Sequence, residues 1–410
     1  MGARPEDDTN EKQMKRRVAK KDLHVCMLAY TYYDTDNRVR RYAEALAARG
    51  TLVDSFVLRS PGQPRFEIVR GVHVHRIQTR IMNEKSKWFY FLKILTFFLN
   101  SVVVLTVNHI RRPYHLVHVH SIPDFLVFAT VFLKLFGVKD ILDIHDLVPE
   151  FFVSKFNREP SGVLYQTLAY IEKLSCKYAN YVIIANDLWL KTLRNRCNIG
   201  EKSVVFLNYP DPTLFYKRPK GPSDVSFRIL FPGTLSHHQG VDIAIRALAR
   251  IKDELPKCRL DVYGNGTERR ALHELTRKLS LENRVGFMDF VQLEQIAEIM
   301  AGTDLAVVPK RKDSFGNEAF STKILEFMAL GVPVIASDTY IDRYYFDDSS
   351  ILFFESGNDE DLARAILRCA RDKELREKMA AEGLRVAEKM NWNNHKNRYF
   401  ALVDDLTGAD

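Results

Sequence analysis

Short apolar runs alternate with amphipathic helical patterns along the whole chain, and the alternation occurs twice, on either side of a proline-rich stretch. That pattern leaves few architectures open. A strand buried on both faces needs helices above and below it, and a crossover to a parallel neighbour needs roughly a dozen residues or more. The sequence therefore predicts an α/β protein with two doubly wound, Rossmann-like parallel sheets. In the first half, strands are expected at 23–29, 52–58, 116–120, 141–144, 181–185 and 204–206, with an antiparallel pair inside 67–77 turning at Gly71. A helix is expected over 37–49, stopped by Gly50, with Asp36 or Asn37 as its N-cap. The linker falls at roughly 208–226 and holds Pro210, Pro212, Pro219, Gly221 and Pro222. Strands of the second half are expected at 227–231, 259–263, 284–287, 305–308 and 332–336. The domains are thus read as 22–208 and 223–390, after a polar tail over 1–21 read as disordered, with a last helical segment within 391–410.

A chain of 410 residues exceeds one ordinary core, which agrees with two domains. With 46% hydrophobic and 27% charged residues, it has the composition of a globular protein. Five scattered cysteines without a C-x-x-C pair are expected to be reduced core residues, neither a disulfide frame nor a zinc site. No apolar run occupies residues 1–22, so no cleavable signal peptide is expected. The net charge of +8 implies anionic partners. No nucleic-acid motif accompanies it, so anionic lipid and diphosphate substrates account for the charge. No metal and no cofactor are assigned.

The segment Asn317–Glu326 carries the most chemistry. Glu318 and Glu326 stand eight positions apart, separated by a loop holding Ser321 and Thr322. The apolar residues Phe327 to Leu330 continue a helix that stops at Gly331. Eight residues at about 100° each nearly close two turns, which places both carboxylates near one helix face. The helix start offers unpaired N–H groups suited to phosphate, and a carboxylate accepts from paired sugar hydroxyls. Together these parts suit a nucleotide-sugar, although two glutamates on a helix by themselves usually make a solvated face.

The segment resembles the E-x7-E motif of the family-four retaining glycosyltransferases of the GT-B fold. Companion motifs occur in that family's order: His118 and His120 at one strand end, His145-Asp146 at the next, then Gly233-Thr234, Gly264-Asn265-Gly266 and Val285–Val291. The resemblance runs from about residue 22 to 405. It implies transfer of a hexose from a nucleoside-diphosphate sugar to a saccharide or lipid-linked acceptor, with retention, without a metal, in polysaccharide or glycoconjugate synthesis. It also implies roles. Glu326 would hold the ribose hydroxyls, and Glu318 would lie near the donor sugar. Amides of Ala319, Phe320, Ser321 and Thr322 would meet sugar or phosphate. Gly233, Thr234 and the loop Gly264-Asn265-Gly266 would flank the nucleotide, with backbone near Phe287 and Met288 reading the base. His145, with Asp146, would stand near the reacting centre. His120, Asp124 and Arg38 are weaker candidates for acceptor or phosphate, and His118 is read as structural. The last helix would cross back onto the first domain.

Two departures matter. The family often has Gly-Phe-Gly where this chain has Ala319-Phe320-Ser321. It usually places an arginine and a lysine on the diphosphate where this chain has Thr234 and Gln239. Lys310, Arg311, Lys312 and Lys323, with His237 and His238, are the candidate replacements. An inactive nucleotide-sugar-binding scaffold at the membrane and a nucleotide-sugar epimerase on the same fold are the rival readings.

The stretch 88–110 is apolar over a length that suits a membrane span. A span would split one sheet across a bilayer, and Lys93, Thr96 and Asn100 recur at helical spacing, so a span is rejected. The choices are a helix packed on the sheet or an interfacial helix flanked by Lys85, Lys87, Arg111 and Arg112. The latter predicts a cytoplasmic protein peripheral on an anionic membrane face, with no nucleic-acid partner.

Overall fold

A computed structural model describes residues 22–80, 87–156, 162–219 and 227–409. The tail expected over 1–21 and part of the linker, including Gly221 and Pro222, lie outside them. Fourteen strands lie among the described residues: β1 (His24–Tyr32), β2 (Leu52–Arg59), β3 (Phe66–Val69), β4 (Val72–Thr79), β5 (Leu116–His120), β6 (Lys139–Ile144), β7 (Tyr181–Ile184), β8 (Ser203–Val205), β9 (Phe227–Pro232), β10 (Cys258–Tyr263), β11 (Val285–Met288), β12 (Leu305–Val308), β13 (Val334–Ser337) and β14 (Ile351–Phe354). They form two sheets, of order β3-β4-β2-β1-β5-β6-β7-β8 and β11-β10-β9-β12-β13-β14. This is the two-sheet α/β architecture that the alternation predicts.

β1 pairs with β2, and β2 with β4, in parallel, while β3 runs antiparallel to β4. The hairpin closes through Arg70 and Gly71, with φ of 48° and 84°. Two consecutive positive φ values make the tight turn whose twist matches the strands. The described pairings of the second sheet are all parallel. Alternate residues of β9 point to opposite faces: Ile229 and Phe231 join one apolar cluster, and Leu230 joins the other. A sheet buried on both faces explains why its strands read as continuous apolar runs. β14 lies outside the expected strands, although Asp347-Asp348-Ser349-Ser350 and Ser356-Gly357-Asn358 bracket it. β13 starts after Pro333, which has no N–H to give to a ladder.

Contacts divide the chain into two compact units. One comprises Met1–Val119, Phe128–Ile141 and Asn397–Asp410. In it the helix Asn37–Ala48 is capped by Asp36, whose carboxylate accepts from the N–H groups of Arg38 and Val39. The end of the last helix, Trp392–Thr407, belongs here. Tyr399 packs 4.4 Å from the Tyr42 ring, its hydroxyl lies 2.9 Å from His118 Nδ1, and Asp404 pairs with Arg49 at 2.9 Å. His118 is fully buried, as its structural reading expects.

The helix Lys87–Arg111 also lies in this unit. Ile94, Phe97, Ser101, Leu105 and His109 form its buried stripe, at spacings of three or four residues. Phe89, Phe91, Leu92, Leu99, Val103 and Ile110 are each more than half exposed. Mean hydropathy reaches 1.9 over the apolar window of Phe89–Arg111, of which 22% is buried. It is neither a fully packed core helix nor polar on its outer face. The side chains of Lys85, Lys87 and Trp88 lie outside the described ones.

The other unit comprises His120–Val127 and Leu142–Lys396. All five cysteines are buried and unbridged, as the sequence implied.

Candidate active site

At the carboxyl end of β9 the chain turns at Gly233, with φ of 137°. Gly264 makes the matching turn after β10, with φ of 145°. A Cβ on Gly264 would lie 1.9 Å from the Gly233 carbonyl oxygen, so two backbones pass where only hydrogen fits. Next to these turns opens a cavity of about 300 Å³. Gly233, Thr234, Gln239, Thr322, Lys323 and Glu326 supply its polar lining. Tyr263, Phe290, Val291, Ile296 and Met300 supply most of its apolar lining.

The helix behind Glu326 is Thr322–Ala329. It starts later than the two-turn argument requires. The segment before it is a turn closed by the N–H groups of Glu318 and Ala319 on the Phe315 carbonyl, at 3.1 and 2.9 Å. Glu318 therefore stands ahead of the helix, not on its face, and is absent from the cavity lining. Its carbonyl accepts from Asn186 Nδ2 at 3.0 Å. Burial raises the pKa of its carboxyl, Glu150 adds to the effect, and Arg196 opposes it. The Ala319 amide is already bonded, which removes it as a ligand donor. The Phe320 ring packs against Tyr345 at 5.1 Å. Ser321, 7% exposed, precedes the helix, and Thr322 reaches the cavity.

The expected cations separate clearly. Lys310 is 3% exposed, donates to the Ala319 carbonyl and lies 3.1 Å from the fully buried Asp342. Thr339 also donates to that Asp342 carboxylate. Lys310 is thus a strut under the loop, and its assignment to the donor is corrected. Arg311 forks onto Asp242 at 2.9 and 2.8 Å. Lys323 is the lysine in the cavity lining, with Nζ 2.9 Å from Gln239 Oε1 and 5.3 Å from the Phe231 ring centre. Burial pushes its pKa down to about 8.

Gly264, Asn265 and Gly266 are not in the cavity lining. They buttress the Gly233 turn: Leu235 N–H donates to the Asn265 carbonyl, and Gly264 N–H to that of Met288. Met288 lines an adjoining cavity with Arg228, Arg259 and Asp261, and the two cavities share Tyr263. Phe290 and Val291, two and three residues further on, reach the cavity instead. The sequence contained their signal, two exposed apolar residues after a strand, but assigned them no role.

His120 ends β5, and His145 follows β6. Asp143 Oδ2 lies 3.2 Å from His120 Nδ1 and 3.3 Å from His145 Nε2. His145 N–H donates to Ser121 Oγ. Asp124, 4% exposed, has its pKa pushed up to about 7, mainly by burial; Ser121 and His145 oppose this and Asp146 adds to it. These residues sit together in one unit. Asp146 is half-buried. Arg38 belongs to the other unit, 3% exposed, with its guanidinium 5.5 Å from the Tyr42 ring. A phosphate has no open approach to such a buried side chain, which corrects its candidacy. A second histidine cluster that sequence spacing did not flag surrounds Asp54: His24, His73 and Tyr114 approach it at 3.0, 3.3 and 2.8 Å.

The family profile described as Glycosyl transferases group 1 matches residues 214–386, and that described as Glycosyl transferase 4-like domain matches 35–208. D-inositol 3-phosphate glycosyltransferase of Stackebrandtia nassauensis is 28% identical over 49% of this chain and 45% of its own length. Lipopolysaccharide core biosynthesis glycosyltransferase LpsE of Rhizobium meliloti is 29% identical over 38% of this chain and 43% of its own. The chain thus spans about half the length of these curated relatives. Sucrose-phosphate synthase of Thermosynechococcus elongatus has the same fold, with a TM-score of 0.79 at 21% identity over 95% of this chain and 100% of that one. With two consecutive profiles matched and this architecture beneath them, the chain belongs to the family-four-type glycosyltransferases of the GT-B fold.

Proposed function

We propose that the chain transfers a hexose from a nucleoside-diphosphate sugar to a hydroxyl of a saccharide or lipid-linked saccharide, with retention of configuration. One observation carries the reading: a single cavity at the end of β9 and β10 gathers Glu326, Lys323, a helix start and an apolar lip. The apolar lip of Phe290 and Val291 suits a base. Glu326 suits two ribose hydroxyls. Lys323 and the first helical N–H groups suit phosphate. The names of the relatives above point to a phosphorylated polyol or a saccharide as acceptor class.

In this reading the acceptor oxygen bonds to the anomeric carbon as the bond to the phosphate oxygen breaks. The departing phosphate takes the acceptor proton on the same face. His145, steadied by Asp143, meets sugar or acceptor hydroxyls, with Glu318 and Asp146 as further polar contacts and Asp124 as a buried acid of the same cluster. Because Asp124 holds its proton up to about pH 7, it donates a hydrogen bond at the pH where most carboxylates only accept. Charge on the leaving group is met by amides and lysine, so turnover is expected to persist in a chelator. The exposed face of Lys87–Arg111 holds the protein against an anionic membrane on its cytoplasmic side, close to a lipid-linked acceptor.

A thermal-shift panel of UDP, GDP, ADP and TDP tests the donor site, since a bound nucleotide stabilises the fold by mass action. Glu326→Ala is expected to weaken the preferred nucleotide roughly tenfold to a hundredfold, the loss of one or two hydrogen bonds to a charged group. Unchanged calorimetric affinity for every nucleoside diphosphate would remove the ribose role. The absence of the family's two diphosphate cations favours a second reading, an inactive nucleotide-sugar-binding scaffold. Donor hydrolysis by purified protein separates the two.

A further inference from the structure

We infer that Lys323 is the cation that meets the donor's phosphates in this chain, positioned for that task by Gln239 above the turn at Gly233. The inference rests on the nucleotide-sugar reading of the cavity and names the group that replaces the missing arginine and lysine.

The geometry assigns the role by contacts. Of the candidate cations, Lys310 is enclosed by Asp342 and the Ala319 carbonyl, and Arg311 is forked onto Asp242. Lys312 is half-exposed and lies 3.9 Å from Asp338. His238 is pushed down to about 4 by burial, so it is neutral at physiological pH. Lys323 lines the same cavity as Glu326.

Its path runs close over a glycine. A Cβ on residue 233 would come within 2.7 Å of Lys323 Cε and 3.3 Å of Nζ. The lysine therefore lies over the Gly233 turn, where the φ of 137° selects glycine.

A polar chain fixes the tip. Gln239 Oε1 accepts from Lys323 Nζ at 2.9 Å, and Gln239 Nε2 lies 3.0 Å from His238 Nε2. Ser236 Oγ lies 3.2 Å from His238 Nδ1. A neutral imidazole has one donor and one acceptor nitrogen. With its Nε2 accepting from Gln239, its Nδ1 donates to Ser236, and the amide oxygen of Gln239 is left facing the lysine. Gln239 stands where the family usually has a lysine. In this chain it orients a cation supplied by the helix instead of being one.

One lysine in a half-buried site has a consequence that two cations would mask. Burial, with Lys310 assisting, lowers its pKa to about 8, while Glu326 and Asp342 oppose the shift. A bound diphosphate favours the charged form and raises that value. Binding then takes up a proton, and affinity falls as pH rises through about 8. Below about pH 7 the lysine is charged either way and contributes no pH dependence.

The experiment is calorimetric titration with the best-binding member of the nucleoside diphosphate panel, between pH 7.5 and 9.5, with the matching nucleoside followed by ligand-observed NMR. Wild-type affinity is expected to fall several-fold or more across that range. Lys323→Met should weaken the diphosphate roughly tenfold to a hundredfold, leave the nucleoside within about twofold, and flatten the pH profile. Lys323→Arg should retain affinity and lose the pH dependence, because a guanidinium stays charged throughout. Adding Gln239→Lys to Lys323→Met should recover part of the loss. A diphosphate loss below about threefold in Lys323→Met, or an unchanged pH profile in that variant, overturns the assignment while the donor reading stands. Wild-type protein that binds neither nucleoside nor diphosphate overturns both.

Discussion

His120 and His145 meet over one carboxylate oxygen: His120 Nδ1 is 3.2 Å from His145 Nε2, and both lie within 3.3 Å of Asp143 Oδ2. Asp143 is fully buried, and His120 is nearly so. His145 keeps about a fifth of its side chain exposed. The inner two groups fix the outer ring, which is the one able to meet a ligand.

His145→Ala is accordingly expected to lower turnover by tenfold or more while nucleotide affinity changes little, since His145 is not in the cavity lining. Initial rates beside calorimetric nucleotide affinity check this. A rate within about threefold of wild type, a barrier change of about 0.65 kcal/mol, would remove His145 from the chemistry.

Lys310→Met should act on stability. It leaves Asp342 buried without its charge partner, and breaking such a pair typically costs about 3–5 kcal/mol. The expected outcome is a markedly lower denaturation midpoint, with nucleotide affinity per folded molecule preserved. A variant of wild-type stability that has lost donor affinity would place Lys310 at the phosphates after all.

Asp124 gives stability a pH signature. Its carboxyl is raised from 3.8 to about 7 in the folded state. The folded state therefore binds the proton more tightly than the unfolded one. The resulting stabilisation is complete below pH 3.8 and is lost as pH rises through 7. Relative to Asp124→Asn, wild-type stability should decline between pH 4 and 7 and stay level above. Urea titrations of both proteins across that range measure the difference. A difference that does not vary with pH would mean that the carboxyl is ionised throughout.

The outer face of Lys87–Arg111 should bind anionic vesicles. Val131, Phe132, Leu135 and Phe136 add exposed apolar surface in the same unit, with the Phe136 ring 5.3 Å from that of His109. Arg111 and Arg112 stand at the end of the helix, each worth about 1 kcal/mol near an anionic surface. Leu99→Glu and Val103→Glu, at exposed positions, should abolish flotation with anionic liposomes and leave the fold intact. Phe97→Glu, at a fully buried position, should unfold the unit. Binding of wild type should weaken with salt, because exposed charges are screened over about 8–10 Å at 0.1–0.15 M. Flotation that is absent under all conditions, or unfolding by Leu99→Glu, would assign the helix a purely structural role.

What the sequence determined by itself is what neighbouring residues write. The alternation of apolar runs located most strands, because burial on both faces demands a continuous apolar stretch. Gly71 marked a hairpin, and Asp36 or Asn37 a helix cap, because positive φ and an unpaired helix N-terminus each select few residue types. Glu326 was singled out through its motif, and it does line the cavity. The tertiary structure decided which of several similar side chains reaches the cavity. Lys310 and Lys323 look alike in sequence. One is enclosed because Asp342 and the Ala319 carbonyl converge on it, and the other is directed by Gln239 across the Gly233 turn. Phe290 lines that cavity while Met288 lines the adjoining one, a division set by how the chain leaves β11. Such choices rest on partners distant in the chain, and a buried charge or an open wall exists only after those partners have met.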